Sequence, residues 1–182
     1  MAQRRMEREA VAELLEAFQR RRSLTLLRAV LGAAARAGTV AEVRAHLIEA
    51  LEAEVDADPR LLYRLYLEDG QDVEAAAAAR RLGEASALLE VAEGCGLRFR
   101  MLALQLYLES ADLLARQGHR RAYGRAAAVL CRLRAAMEGE EVRWEGLFSG
   151  YCARHRRRRA LLQELVRAGL DPGAPPPVAE MP

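Results

Sequence analysis

The chain has 182 residues, enough for one domain with its own hydrophobic core. Charged residues make up 30% of it, and no run of about 20 apolar residues occurs, which argues against a membrane-spanning protein. The first residues lack the apolar stretch of a signal peptide, so we expect a cytoplasmic location. Aromatic residues are only 5%, and the apolar ones are chiefly Ala and Leu, which favours helices over strands.

Helical periodicity begins near the N-terminus and continues almost to the end of the chain. A stripe of apolar residues over 11–18 predicts the first helix. Ser23 is suited to cap a second helix, which we expect Gly38 to end. A third helix carries Val and Leu at heptad-like spacing over 40–55.

Three shorter helices are predicted next. Pro59 suits the first turn of a helix that ends at Gly70. Two more follow over 73–82 and 84–93, separated by Gly83. The alanine run in the first of these permits close packing against a neighbour.

The stretch 97–117 predicts the most apolar helix. Its two apolar sides consist of Phe99, Leu102, Leu106 and Leu113, and of Met101, Leu104, Leu108 and Ala111. A helix that is apolar on two sides needs neighbours on both, so we expect a central helix. Leu104 and Leu108 should then be deeply buried.

Two further helices complete the predicted domain, which spans residues 1–170 without an internal boundary. One covers 123–137, and the last runs from Trp144 through the four-arginine block to Gly169. The proline-rich residues 171–182 are predicted to form a disordered tail. Because the turns are short, neighbouring helices should be antiparallel.

Two arrangements of these helices remain open, an α-solenoid and a compact helical bundle. The stretch 103–114 is typical of the second helix of a tetratricopeptide repeat. No strict 34-residue period is visible, so any repeat is degenerate. We favour a short α-solenoid of stacked antiparallel hairpins.

Four segments carry a family resemblance. They are Asp72-Val-Glu-Ala-Ala, Ala103-Leu-Gln-Leu-Tyr, residues 123–134 and residues 144–162. Together they resemble the helical C-terminal region of bacterial SWIM zinc-finger proteins, over roughly residues 40–170. That family binds zinc through a separate CxC…CxH segment, a pattern that the cysteines here do not match. The resemblance implies a protein-interaction scaffold, sometimes associated with Swi/Snf-type helicases, without catalytic residues to transfer.

Few residues could carry chemistry. His46 and His119 are predicted at solvated positions, whereas His155 lies on the apolar stripe of the last helix and should be partly buried. With Cys152 and Cys131 it could supply three zinc ligands, but a fourth is missing, and packing is the better explanation. We find no phosphate-binding loop, hydrolase triad or inward Glu-x-x-His pair, so we expect neither an enzyme nor a cofactor.

The charge order is the most informative remaining feature. All 28 basic residues are Arg, and the net charge is +4 over 1–36, −8 over 37–115 and +8 over 116–170. Three arginines share one face of the helix over 123–137, and five more should extend this basic surface along the last helix. The eight are Arg121, Arg125, Arg132, Arg154, Arg156, Arg157, Arg158 and Arg159.

Two functions fit these observations. Arginines near helix ends can simply complement the helix dipole, and exposed aromatics for base stacking are not evident. We therefore expect a non-catalytic scaffold for contacts with a protein partner or with a second copy, and no role at a membrane. The alternative is a nucleic-acid-binding accessory protein that uses the C-terminal Arg-rich surface.

Overall fold

The computed structural model describes residues 2–54, 58–96 and 98–171, and these residues form ten α-helices and no strand. The predicted all-α fold is confirmed. No helix in these ranges is both long enough and apolar enough to cross a membrane. The helices group into two compact units, one ending at Leu82 and the other starting at Gly83. The sequence showed no boundary here; the single domain over 1–170, like the solenoid arrangement, stays a prediction.

Unit 1 contains the first five helices. They are α1 (Ala2–Arg20), α2 (Leu24–Ala37), α3 (Val40–Glu52), α4 (Pro59–Glu68) and α5 (Asp72–Leu82). The two caps predicted for α2 are confirmed: the Ser23 hydroxyl accepts from the Leu26 amide at 3.2 Å, and Gly38 ends α2 with a φ of 72°. Helices α1 and α2 pack together, as do α4 and α5. Val55, the last residue of the heptad-like spacing predicted for the third helix, lies outside the described residues.

Unit 2 contains the remaining five helices. They are α6 (Ala85–Cys95), α7 (Arg100–Arg116), α8 (Arg120–Ala136), α9 (Glu141–Arg154) and α10 (Arg159–Arg167). Helix α7 packs against both α6 and α8, and α10 packs against α8. Helix α7 therefore has a neighbour on each of two sides, as its two apolar sides predicted, and α8 likewise packs against two helices.

The burial of side chains along α7 differs from the prediction at Leu108 and at the start of the helix. Leu104 is buried, but Leu108 is only half-buried. Phe99 and Met101 are exposed, because α7 begins at Arg100 and its first turn faces the polar start of α9. There the Arg143 guanidinium lies 2.7 Å from the Met101 sulfur. Leu97, where the predicted helix began, is outside the described residues.

The prediction of one long final helix is wrong. Helix α9 ends at Arg154, a turn follows, and α10 begins at Arg159. The turn closes with a hydrogen bond from the Arg158 amide to the His155 carbonyl at 2.8 Å. No glycine or proline causes the break; contacts with α7, described below, hold it. Gly169, with a φ of 77°, follows the end of α10 as expected, whereas the predicted tail beyond residue 171 lies outside the described residues.

Candidate functional site

Helices α6, α7 and α8 enclose a groove of about 250 Å³ in unit 2. Its apolar lining comes from all three helices, with Leu89 from α6, Leu114 from α7 and Val129 from α8. The small residues Ser86 and Ala128 lie on opposite sides and are exposed. A neighbouring backbone could approach the groove closely between them.

Charged side chains line the two sides of this groove. Glu90 and Glu93 belong to α6, whereas Arg125 and Arg132 belong to α8. Arg132 forms an ion pair with Glu93. Arg125 is exposed and forms no ion pair within the described part of the chain. The groove therefore combines an apolar lining with one guanidinium group, that of Arg125, which forms no ion pair in the described ranges.

The structure divides the predicted basic surface instead of joining it along one helix. Arg132 is neutralised at the groove, and Arg154 lies 3.3 Å from the Asp112 carboxylate. Arg158 is half-buried, and its guanidinium donates to the Ala115 carbonyl of α7 at 2.7 Å. Five of the eight predicted arginines are exposed and form no ion pair in the described ranges. Besides Arg125, they are Arg121, Arg156, Arg157 and Arg159. These four lie where two turns come together.

Two contacts join the α7–α8 turn to the α9–α10 turn. One is the hydrogen bond from Arg158 to Ala115, and the other is the ion pair between Arg120 at the start of α8 and Glu164 of α10, at 2.9 Å. The hydrogen bond from Arg120 holds the pKa of the Glu164 carboxyl below its usual range. Arg116, the last residue of α7, directly follows Ala115 and is exposed. We call the resulting group the basic end; it consists of Arg116, Arg120, Arg121, Arg156, Arg157 and Arg159.

A polar cluster under the α9–α10 turn keeps the basic end in place. The His155 ring is only 9% exposed, and its Nε2 lies 2.7 Å from an Asp112 oxygen. Asp112 also pairs with Arg154, whose guanidinium lies over the Tyr151 ring. The Tyr151 hydroxyl donates to the Ala111 carbonyl at 3.3 Å, and burial raises the pKa of Tyr151 far above its usual range. These contacts fix the turn on α7.

The predicted histidine positions are confirmed. His46 and His119 are exposed, and the His119 ring nitrogen Nδ1 accepts from the Ala122 amide at 3.2 Å, which caps α8. His155 is buried, but on a carboxylate and not against apolar side chains alone. Burial raises the pKa of the neighbouring Cys152 thiol, which disfavours the thiolate that zinc requires. In the described ranges no three His, Cys, Asp or Glu side chains could hold a metal ion together.

Sequence analysis did not identify Arg116, Arg120 or Asp112 as parts of a site. Arg116 and Arg120 stand on either side of the Gly118 turn, which by itself carries no sign of what packs beside it. Asp112 is 43 positions from His155. The one signal for Asp112 in the sequence was an acidic residue on the inward face of an otherwise apolar helix, close to its end.

No family model matches the chain, and neither a curated protein nor a solved structure matches it.

Proposed function

We propose that this chain is a non-catalytic helical scaffold that binds a protein partner, with the groove between α6, α7 and α8 as the anchor site. The observation that carries the proposal is the groove's size and lining. At about 250 Å³ it is smaller than the roughly 300–1,000 Å³ of ordinary small-molecule sites. It has room for one or two side chains, as the central pocket of a protein interface does.

The charge on the groove restricts the partner's chemistry. The apolar lining favours an aliphatic or aromatic side chain, whose burial supplies most of the affinity. Arg125 favours a carboxylate beside it, because guanidinium and carboxylate groups form two parallel hydrogen bonds. We therefore propose a partner segment in which Asp or Glu adjoins a large apolar residue. A second copy of this chain is one such candidate.

Other features support a scaffold over an enzyme. Two histidines have structural roles: His119 caps α8, and His155 is hydrogen-bonded to Asp112. The resemblance to the helical region of SWIM zinc-finger proteins implies the same kind of role. The proposal includes a degenerate tetratricopeptide-like α-solenoid and a place in the cytoplasm of a bacterium.

The proposal is tested by filling the groove with a large side chain and measuring the affinity for the partner. A photo-crosslinking residue at position 128 first identifies the partner in native cells, and the purified pair is then measured by calorimetry. Ala128→Trp should weaken binding at least about tenfold, because the indole occupies the space of the anchor side chain. Ala45→Trp is the matched control, since Ala45 is an exposed helical alanine of unit 1.

A charge exchange makes the test specific. Arg125→Glu should weaken binding, and replacing the contacting carboxylate of the partner by Arg should restore it in part. Equal affinities for the wild type, Ala128→Trp and Arg125→Glu would refute the groove as the binding site. Equal losses from Ala128→Trp and Ala45→Trp would refute it too.

A further inference from the structure

The basic end has a charge that the ion pairs of the fold leave largely uncompensated. Five of its six arginines, all but Arg120, form no ion pair within the described ranges. The carboxylates that contact this region are Glu164, bonded to Arg120, and Asp112, bonded to His155 and Arg154. Several exposed arginines therefore lie on neighbouring turns and helix ends of unit 2.

Helix stabilisation explains only half of this arrangement. Arg120 and Arg121 are the first two residues of α8, and Arg159 is the first residue of α10. The N-terminal end of a helix carries a partial positive charge, so a cation placed there is unfavourable. Arg116, at the end of α7, and Arg156 and Arg157, just past the end of α9, do complement a dipole. An anion bound at this surface would be attracted chiefly by the side chains, since two N-terminal and two C-terminal helix ends meet here.

We propose that the basic end binds the phosphate backbone of a double-stranded nucleic acid. The guanidinium group is suited to this ligand because its planar donors match two phosphate oxygens at once. Several such groups on one surface fit an anion that repeats its charge along its length, as a duplex backbone does. Contacts of this kind position a protein on the duplex and carry no sequence information.

The surroundings favour a duplex over a single strand. Proteins that hold single strands stack the bases on exposed aromatic side chains. Trp144, Phe148 and Tyr151 of α9 are buried. The exposed ring of Phe99 stands at the opposite end of α7, and 17 residues of helix span about 25 Å. The basic end thus offers contacts to phosphates, and no exposed Trp, Tyr or Phe of the described ranges lies beside it as a platform for bases.

The experiment measures fluorescence anisotropy of a labelled 24-base-pair duplex, as DNA and as RNA, between 50 and 300 mM salt. Contacts from five arginines predict a slope of log K against log salt of about −4 to −5. Replacing Arg121, Arg156, Arg157 and Arg159 by Gln should reduce the slope to about −1 and weaken binding at least roughly 30-fold near 100 mM salt. Arg158 is left in place because it holds the turn on α7.

A matched control removes the same charge elsewhere. Arg8, Arg21, Arg28 and Arg36 of unit 1 are exposed and form no ion pair within the described ranges. Their replacement by Gln also changes the net charge by −4, and it should leave duplex affinity within about threefold, because none of the four belongs to the basic end that is proposed to contact the phosphates. A pair variant, Arg156→Gln with Arg157→Gln, affects the turn alone and should give an intermediate slope.

Three results would overturn the proposal. The control set could weaken binding as much as the test set, which would indicate general charge attraction. A single strand of the same length could bind more tightly than either duplex. Vesicles of anionic lipid could bind while both duplexes fail to do so at 100 mM salt. Ala128→Trp should leave duplex binding unchanged, so failure here is distinguishable from failure of the groove proposal.

Discussion

Truncating Leu104 and Leu108 separately tests the packing of α7. Sequence analysis predicts equal burial for the two, whereas the structure buries Leu104 to 4% exposure and leaves Leu108 half-buried. Leu→Ala removes roughly three carbons, worth about 0.8 kcal/mol each when fully buried, and a cavity term adds to that. We expect Leu104→Ala to lower the free energy of unfolding by about 3 kcal/mol, within the usual 2–5 kcal/mol. Leu108→Ala should cost less, because part of the Leu108 side chain is already in contact with water.

The assay must follow unit 2 by itself, because two compact units need not unfold together. Trp144 makes this possible: it is the single tryptophan of the chain, it belongs to α9, and it stacks on Phe148 with ring centroids 5.0 Å apart. Its fluorescence in urea gives the midpoint and slope for unit 2. A cost below about 1 kcal/mol for Leu104→Ala, or a larger cost for Leu108→Ala, would mean that α7 is not packed as described.

Three other expectations concern titratable groups and metal. The Tyr66 hydroxyl donates to Glu52, and burial together with this bond raises the pKa of Tyr66 to about 12; ultraviolet titration should show it, with Glu52→Gln lowering the pKa. Because the folded pKa lies above the unfolded value of 10.0, the stabilisation is complete below pH 10 and disappears as the pH rises towards 12. Iodoacetamide should modify Cys152 more slowly at pH 8 than a model thiol, since burial raises its pKa; an equal rate would contradict this. A chelator should leave the melting temperature unchanged, and a stoichiometric zinc content lost with Cys152 would contradict that.

Helix boundaries with a local chemical cause could be read from the sequence. Ser23 caps α2 by a bond to a residue three positions away, and Pro59 begins α4 where its missing amide hydrogen costs nothing. Gly118 adopts a φ of 78° at the turn between α7 and α8, a conformation that most residues avoid. Each signal acts within a few residues of its cause, so it is visible in the sequence alone.

The break between α9 and α10 has no such local cause. The segment His155-Arg-Arg-Arg158 contains neither Gly nor Pro, and arginine is a good helix former. What holds the turn is a carboxylate and a carbonyl from α7, each 43 positions away along the chain. A prediction from periodicity extends the helix through this segment, because the competing interactions are tertiary.

The candidate site shows the same division between local and distant causes. Net charge over 116–170 indicated a basic region, and the eight arginines predicted for it include four of the six in the basic end. Ion pairs decide which of these charges remain available, and the pair between Arg132 and Glu93 spans 39 positions. The sequence therefore predicted the sign of the surface, while its location and membership required the packing of the helices.

We expect binding at the groove and binding at the basic end to be coupled through α8, because both proposed sites use this helix. Arg121 and Arg125 are four residues apart on this helix, which corresponds to about 6 Å along its axis. A partner carboxylate bound to Arg125 would place a negative charge within a Debye length of phosphates at Arg121, since that length is about 10 Å at 0.1 M salt. We therefore expect the protein partner and the duplex to weaken each other's binding by the same factor, as linkage requires. The weakening should diminish at higher salt, and measuring the duplex affinity with and without saturating partner checks it. Arg125→Gln should reduce this coupling, whereas cooperative binding of the two ligands would contradict the assignment of both sites to α8.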